Sequence, residues 1–297
     1  MVIDSVAVPG ARLHVERAGD GPALLLISGG GGDAGMYADV VPLLARTFTV
    51  ITYDRRGNSR SPFTGPDASI TIPRQAGDAA AVLDHYGLRG AYLFGNSGGA
   101  IIALEMLASH PDRLLGVVVH EPPLVQLLPT GSPERREIER IGRLGRHGHV
   151  MRAYAAFGAM TLPDPPRMFL SPTGQAVIAA GTHVMLSFES LARKVFRHEP
   201  DVMIRQLRNA KLTLGRELPE FCFDYGPDLA ALAATTAPWC LATGHESVGK
   251  PYFTPAHVLS ERLGIPCQEF PGGHLPFMQH PEEFTKTLTT ILEGFSA

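Results

Sequence analysis

Phe94-Gly95-Asn96-Ser97-Gly98-Gly99-Ala100 is the stretch on which the fold turns. An apolar segment, Ala91 to Phe94, runs into it, and an apolar helix-length segment, Ala100 to Ser109, runs out of it. The stretch fits G-x-S-x-G, in which a serine sits at a sharp strand-to-helix turn. That spacing has a physical cause. At so tight a turn a side chain at a flanking glycine position collides with backbone, and the serine itself is strained. The helix that follows aims its N-terminal amides at the serine, which suits an oxygen gaining negative charge. A glycine-rich turn without chemistry is disfavoured by the strand before it and the helix after it. Ser97 is therefore the candidate nucleophile, and the amide of Gly98 a candidate oxyanion donor.

Outward from this point the chain alternates. Val6-Ala7-Val8 and Leu13-His14-Val15 flank a Pro-Gly turn and read as a hairpin. Ala23 to Ile27 is a continuous apolar run, as expected of a strand buried on both faces, and Phe48 to Tyr53 and Leu115 to Val119 read the same way. Ile72 to Tyr86 has helix length. Strands alternating with helices predict a parallel sheet with right-handed crossovers. Residues 122–235 break the rhythm with three amphipathic helix candidates, Pro133 to Met160, Gln175 to Phe196 and Asp201 to Glu217. Strands resume at Trp239 to Thr243 and Cys267 to Phe270, and a last helix runs from Pro281 to Phe295. The expected organisation is an α/β core of residues 1–121 and 236–297, with residues 122–235 as a helical cap, or lid. Met151, Tyr154, Phe157, Met160, Met185, Phe188 and Phe196 either line an apolar pocket under that lid or pack its helices together.

An early strand ends in Ser28-Gly29-Gly30-Gly31-Gly32. Four glycines free the backbone amides to approach a substrate oxygen. A phosphate loop is excluded, because no Gly-Lys-Ser/Thr follows and no acidic partner stands where a dinucleotide site needs one. Gly98 together with Gly30 or Gly31 would form an oxyanion hole.

Over essentially its whole length the sequence resembles the α/β-hydrolases. Asp54-Arg55-Arg56-Gly57-Asn58-Ser59-Arg60-Ser61 is similar to that family's D-x-R-G-x-G-x-S turn, with Ser59 where glycine is usual. Pro271-Gly272-Gly273-His274, followed by Pro281-Glu282-Glu283-Phe284, resembles the loop bearing the family's catalytic histidine. The resemblance implies an eight-stranded, mostly parallel sheet flanked by helices, with a cap inserted after the sixth strand. Of 12 histidines, His274 is favoured by position. It follows a short strand and two glycines, precedes the last helix, and keeps the order nucleophile, acid, base. His120, His245 and His280 read as structural or surface groups.

Two acids compete. Glu246 lies in Gly244-His245-Glu246-Ser247, the loop where the family usually keeps its acid, but Ser247 occupies the position at which an aspartate is typical. Glu121, in Val119-His120-Glu121-Pro122-Pro123, lies at the end of the sixth strand. Haloalkane dehalogenases and fungal zearalenone lactonases place the acid there, and the lactonases carry a similar His-Glu pair. Pro122 is expected to hold Glu121 extended and the strand end stiff, and stiffness helps an acid that must fix one imidazole tautomer. Glu121 is preferred, with Glu246 as the alternative.

Bulk properties set limits. With 297 residues, 44% hydrophobic and 19% charged, the chain suits one large α/β domain with an insertion. A net charge of -3 and the lack of a long basic run argue against nucleic acid as a partner. No apolar stretch reaches the ~20 residues of a membrane span. The start, Met1-Val2-Ile3-Asp4-Ser5, has no signal-peptide pattern, so a cytoplasmic location is expected. Cys222, Cys240 and Cys267 form neither a disulfide framework nor a zinc spacing, and no cofactor or metal is expected. The expected partner is a small-molecule ester or lactone; a homodimer is left open. A serine nucleophile points to acyl transfer and hydrolysis of an ester or lactone. Carbon–carbon hydrolysis or a lyase reaction on the same triad, and a non-catalytic ligand receptor of the same fold, are the alternatives.

Overall fold

The computed structural model describes residues 1–196 and 199–295, and the side chains of residues 193–198 are outside the description. Phe196, named above among the lid side chains, falls there. The strands are β1 (Val2–Val8), β2 (Ala11–Ala18), β3 (Ala23–Ile27), β4 (Thr49–Tyr53), β5 (Ala91–Asn96), β6 (Leu114–His120), β7 (Trp239–Gly244) and β8 (Cys267–Phe270). They form one eight-stranded sheet in the order β1-β2-β4-β3-β5-β6-β7-β8. The β1–β2 and β2–β4 pairs are antiparallel and the remaining pairs parallel.

The alternation seen in the sequence explains this sheet. β3 is buried at every position because helices cover both faces. Leu25 and Ile27 pack on one side with Ile101, Leu104 and Leu259, while Leu24 and Leu26 pack on the other with Tyr37, Phe277 and Phe284. The helices are α1 (Val41–Leu44), α2 (Ile72–His85), α3 (Gly98–Ser109), α4 (Pro133–Arg146), α5 (Val150–Thr161), α6 (Pro172–Phe196), α7 (Val202–Leu212), α8 (Leu229–Ala234), α9 (Phe253–Leu263), α10 (Pro276–Gln279) and α11 (Pro281–Gly294). Helices α4 to α8 all lie between β6 and β7. Among the described residues no helix is long and apolar enough to cross a membrane.

Two helix expectations need correction. Pro133 to Met160 is not one helix but α4 and α5, parted at His147-Gly148-His149. Gly148 takes a left-handed φ of 79°, which ends a helix at little cost only for glycine. Asp201 to Glu217 is α-helical only to Leu212, and Thr213–Glu217 and Pro219–Asp224 are π-helical. The wider π turn re-aims side chains at one point of a helix, and such turns are frequent at functional sites. Here it accompanies Glu217, which turns inward to the core.

Buried polar contacts fasten α7 and the π turns to the sheet's loops. Arg55 donates two hydrogen bonds to Glu217, at 2.7 and 2.9 Å, and Asn58 Nδ2 donates a third at 2.9 Å. Arg205 grips Asp33 at 2.6 and 2.9 Å, and Asn209 Nδ2 donates to the Gly31 carbonyl at 2.7 Å. Ser59 sits at φ 47°, the strained region that glycine avoids paying for, and its Oγ donates to Asp33 while accepting from Asn209. The loops after β3 and β4 are thus held by the same inserted helices that stand over the carboxyl ends of the strands, where α/β sheets bind ligands.

Candidate active site

Ser97 lies between β5 and α3 with φ 57° and ψ −119°. Its N–H donates to the His120 carbonyl at 2.9 Å, and its own carbonyl accepts from Ala100 and Ile101. The flanking glycines leave no room for a side chain. A Cβ on Gly95 would lie 2.4 Å from the Gly99 carbonyl oxygen, and one on Gly99 would lie 2.1 Å from that of Ile27. The turn is strained because β3, β5 and α3 converge on it.

The amide of Gly98 opens α3, where N–H groups have no intrahelical acceptor. Gly30, after β3, lines the same cavity as Ser97 and Gly98. Gly31 does not line it. Its carbonyl is taken by Asn209, and Gln206 packs 3.2 Å from where its Cβ would be. The structure therefore brings Gly30 and Gly98 to Ser97 and leaves Gly31 behind them.

His274 follows β8 and lines the cavity with Ser97. Its Nδ1 is 2.5 Å from Glu121 Oε2. The carboxylate accepts, so Nδ1 carries a proton, and in the neutral tautomer that this selects, Nε2 is the acceptor. Glu121 Oε1 accepts from the Gly244 N–H at 2.8 Å, and the Glu121 N–H donates to the Ala242 carbonyl at 3.0 Å. The expectation that Pro122 holds Glu121 extended is corrected: Glu121 has φ 53°. The chain bends back at the end of β6, and the bend aims the carboxylate across β7 at His274. Glu246 stands elsewhere. It is exposed and accepts a 3.3 Å bond from Gln279 Nε2.

Tyr252, which no sequence pattern marked, stacks on His274 with ring centroids 3.7 Å apart and planes 22° apart. Its hydroxyl donates to the Met160 carbonyl in α5 at 3.0 Å. The ring thus fills the space beside the imidazole and ties it to the inserted helices. A tyrosine in Lys250-Pro251-Tyr252-Phe253 carries no periodic or spacing signal, so only the tertiary structure reveals it.

His120 is fully buried next to Glu121, with Nδ1 2.7 Å from Asn96 Oδ1. Burial pushes its pKa down to about 4, against the pull of Glu121. Burial alone would raise the Glu121 carboxyl, but His120, His274 and Ser247 outweigh it and hold it below its ordinary value. A sign follows. Native His120 is uncharged down to about pH 4, while the unfolded chain protonates it below its ordinary 6.5. The unfolded state binds more protons in that window, so stability falls as pH drops from 6.5 to 4. Melting temperatures of the wild type should decline across the window, and His120→Gln should decline less. Parallel curves for the two proteins would refute this origin.

The cavity has two unequal lobes that meet at Ser97, Gly30, Phe157 and His274. The larger, about 560 Å³, takes Met151, Tyr154 and Met185 from the inserted helices. The smaller, about 30 Å³, takes Met160, Leu218 and Phe221. Phe188, expected with them, is 69% exposed and lines neither. Among the described residues no group of three or more His, Cys, Asp or Glu side chains has the arrangement of a metal site.

The chain is similar to known proteins. The family model described as alpha/beta hydrolase fold matches residues 22–144. The uncharacterized hydrolase YraK of Bacillus subtilis (strain 168) is 29% identical over 293 residues, covering 97% of this chain and 95% of that protein. A zearalenone hydrolase of Cladophialophora bantiana is 24% identical over 286 residues, covering 93% and 91%. The crystal structure of carboxylesterase CesB from Bacillus subtilis superposes with a TM-score of 0.70 at 18% identity, covering 99% of this chain and 92% of that one.

Proposed function

The chain has the α/β-hydrolase fold, and we propose that it is a serine hydrolase of carboxylic esters or lactones. The observation that carries this reading is one cavity holding Ser97 on a strained turn, the free amides of Gly30 and Gly98, and an imidazole whose far nitrogen is fixed by Glu121. In this reading His274 Nε2 takes the proton of Ser97 as Oγ attacks the carbonyl carbon. The oxyanion accepts hydrogen bonds from Gly98 and Gly30. His274 then protonates the leaving oxygen, and a water cleaves the acyl-enzyme by the same route in reverse. Glu121 holds the tautomer and stabilises the imidazolium. Residues 122–235 serve as the cap over this site. The relatives named as a hydrolase and a zearalenone hydrolase support hydrolysis as the reaction.

A fluorophosphonate probe tests the reading directly. The wild-type protein should become labelled in one equivalent, with the adduct on Ser97 by peptide mass spectrometry, and should lose turnover of p-nitrophenyl acetate in proportion. Label elsewhere, or turnover that survives full labelling, would sink the proposal.

A further inference from the structure

The two lobes differ in size by more than an order of magnitude and in the side chains that line them. The small lobe, at about 30 Å³, has room for roughly two or three waters, since one needs about 10–15 Å³, and so admits only a short group of a few heavy atoms. Its charged wall residues, Arg55 and Glu217, are satisfied by each other at 2.7 and 2.9 Å and offer no free charge. Ile138, Met160, Leu218 and Phe221 make most of the remaining wall apolar, with the Thr213 side chain beside them. The large lobe, at about 560 Å³, lies in the range of drug-sized ligand sites. Among the described residues no lysine or arginine lines it, and Asp39, the one acidic residue among them that does, is exposed. Met36, Met151, Met185, Met203 and Met278 all line it, and methionine walls adapt to varied apolar shapes.

Phe157 divides the lobes. It lines both, and its ring tip lies 2.8 Å from where a Cβ on Gly30 would be, so it stands against the loop that would bind the oxyanion. A substrate carbonyl at Ser97 must send its two arms to opposite sides of this ring. The leaving oxygen is the one His274 protonates, so the alcohol arm starts at the histidine loop. Leu275 and Met278, the continuation of that loop, line only the large lobe, whereas Gly98, next to the acylated serine, lines only the small one.

We propose that the substrates, within the hydrolase reading above on which this rests, are esters of a short acyl group with a bulky, uncharged, apolar alcohol. The short acyl passes to Ser97 Oγ as its ester bond breaks, the Ser97 proton passes through His274 to the alcohol oxygen, and water then releases the short acid.

Two substrate series test this. With p-nitrophenol fixed as the leaving group, kcat/KM should fall at least tenfold from acetate to hexanoate. With acetate fixed, kcat/KM should rise from ethyl to hexyl to 3-phenylpropyl ester. Phe157→Ala joins the lobes and should raise the hexanoate-to-acetate ratio at least tenfold. Leu218→Ala opens the small lobe from its other wall and should raise the same ratio, which keeps the test alive if the first variant misfolds. Wild-type preference for hexanoate over acetate, or a ratio unmoved in the folded variants, overturns the lobe assignment while leaving the hydrolase reading in place. No turnover in either series, together with an unlabelled Ser97, overturns both.

Discussion

Ser97→Ala should lose ester turnover by about 10⁵- to 10⁶-fold in kcat, the scale seen when a serine nucleophile is removed. The residue removed is a single hydroxyl facing a cavity, and the backbone already takes its strained φ of 57° for a non-glycine side chain. Alanine meets the same backbone demand as serine, so the melting temperature should stay within a few degrees. What remains should be a residual acceleration of about 10³- to 10⁴-fold over water from the amides of Gly30 and Gly98 and from binding. The measurement is kcat on p-nitrophenyl acetate, with melts on the same preparation. A folded variant with near wild-type turnover would exclude Ser97 as the nucleophile.

Glu121→Gln should lower kcat by at least about 10², towards the 10⁴ that the same change costs in serine proteases, with KM little changed. The amide keeps the shape but presents a donor as well as an acceptor to His274 Nδ1, now 2.5 Å from Oε2. That admits the tautomer in which Nε2 carries the proton and is no use as a base, and it removes the charge that balances the imidazolium. Oε1 also accepts from the Gly244 N–H, so some loss of stability should accompany the loss of rate. Glu246→Gln is the control. That carboxylate is exposed and accepts a 3.3 Å bond from the Gln279 amide side chain, so kcat should stay within about tenfold of wild type. A collapse in Glu246→Gln beside a normal Glu121→Gln would move the acid to the loop after β7.

The sheet was legible because period and apolarity are local. β3 and β6 announce themselves as unbroken apolar runs, and the turn at Ser97 carries its own glycines. The break between Pro133 and Met160 is hidden in the sequence because Gly145 and Gly148 are both tolerated in a helical pattern, and only the left-handed φ of Gly148 shows which one ends the helix. The choice between Glu121 and Glu246 could not be made by chain order. Their loops follow the neighbouring strands β6 and β7, and a bend of one residue decides which carboxylate meets His274. The glycines after β3 looked equivalent, yet packing of Asn209 and Gln206 sets Gly31 apart from Gly30. Tyr252 was invisible for a similar reason: its role is a face-to-face ring contact with a residue far along the chain.

The bend at Glu121 also explains the length of the acid found there. A residue other than glycine with φ 53° costs roughly 1–3 kcal/mol, and aspartate, which tolerates left-handed backbone better than glutamate, would ease that cost. Aspartate is shorter by one methylene, about 1.5 Å of reach. From the same Cα it would fall short of the imidazole, and the backbone, pinned to Ala242 across β7, is not free to advance. The span from strand end to histidine acts as a ruler: it rejects the residue with the better local conformation and accepts the one that is long enough.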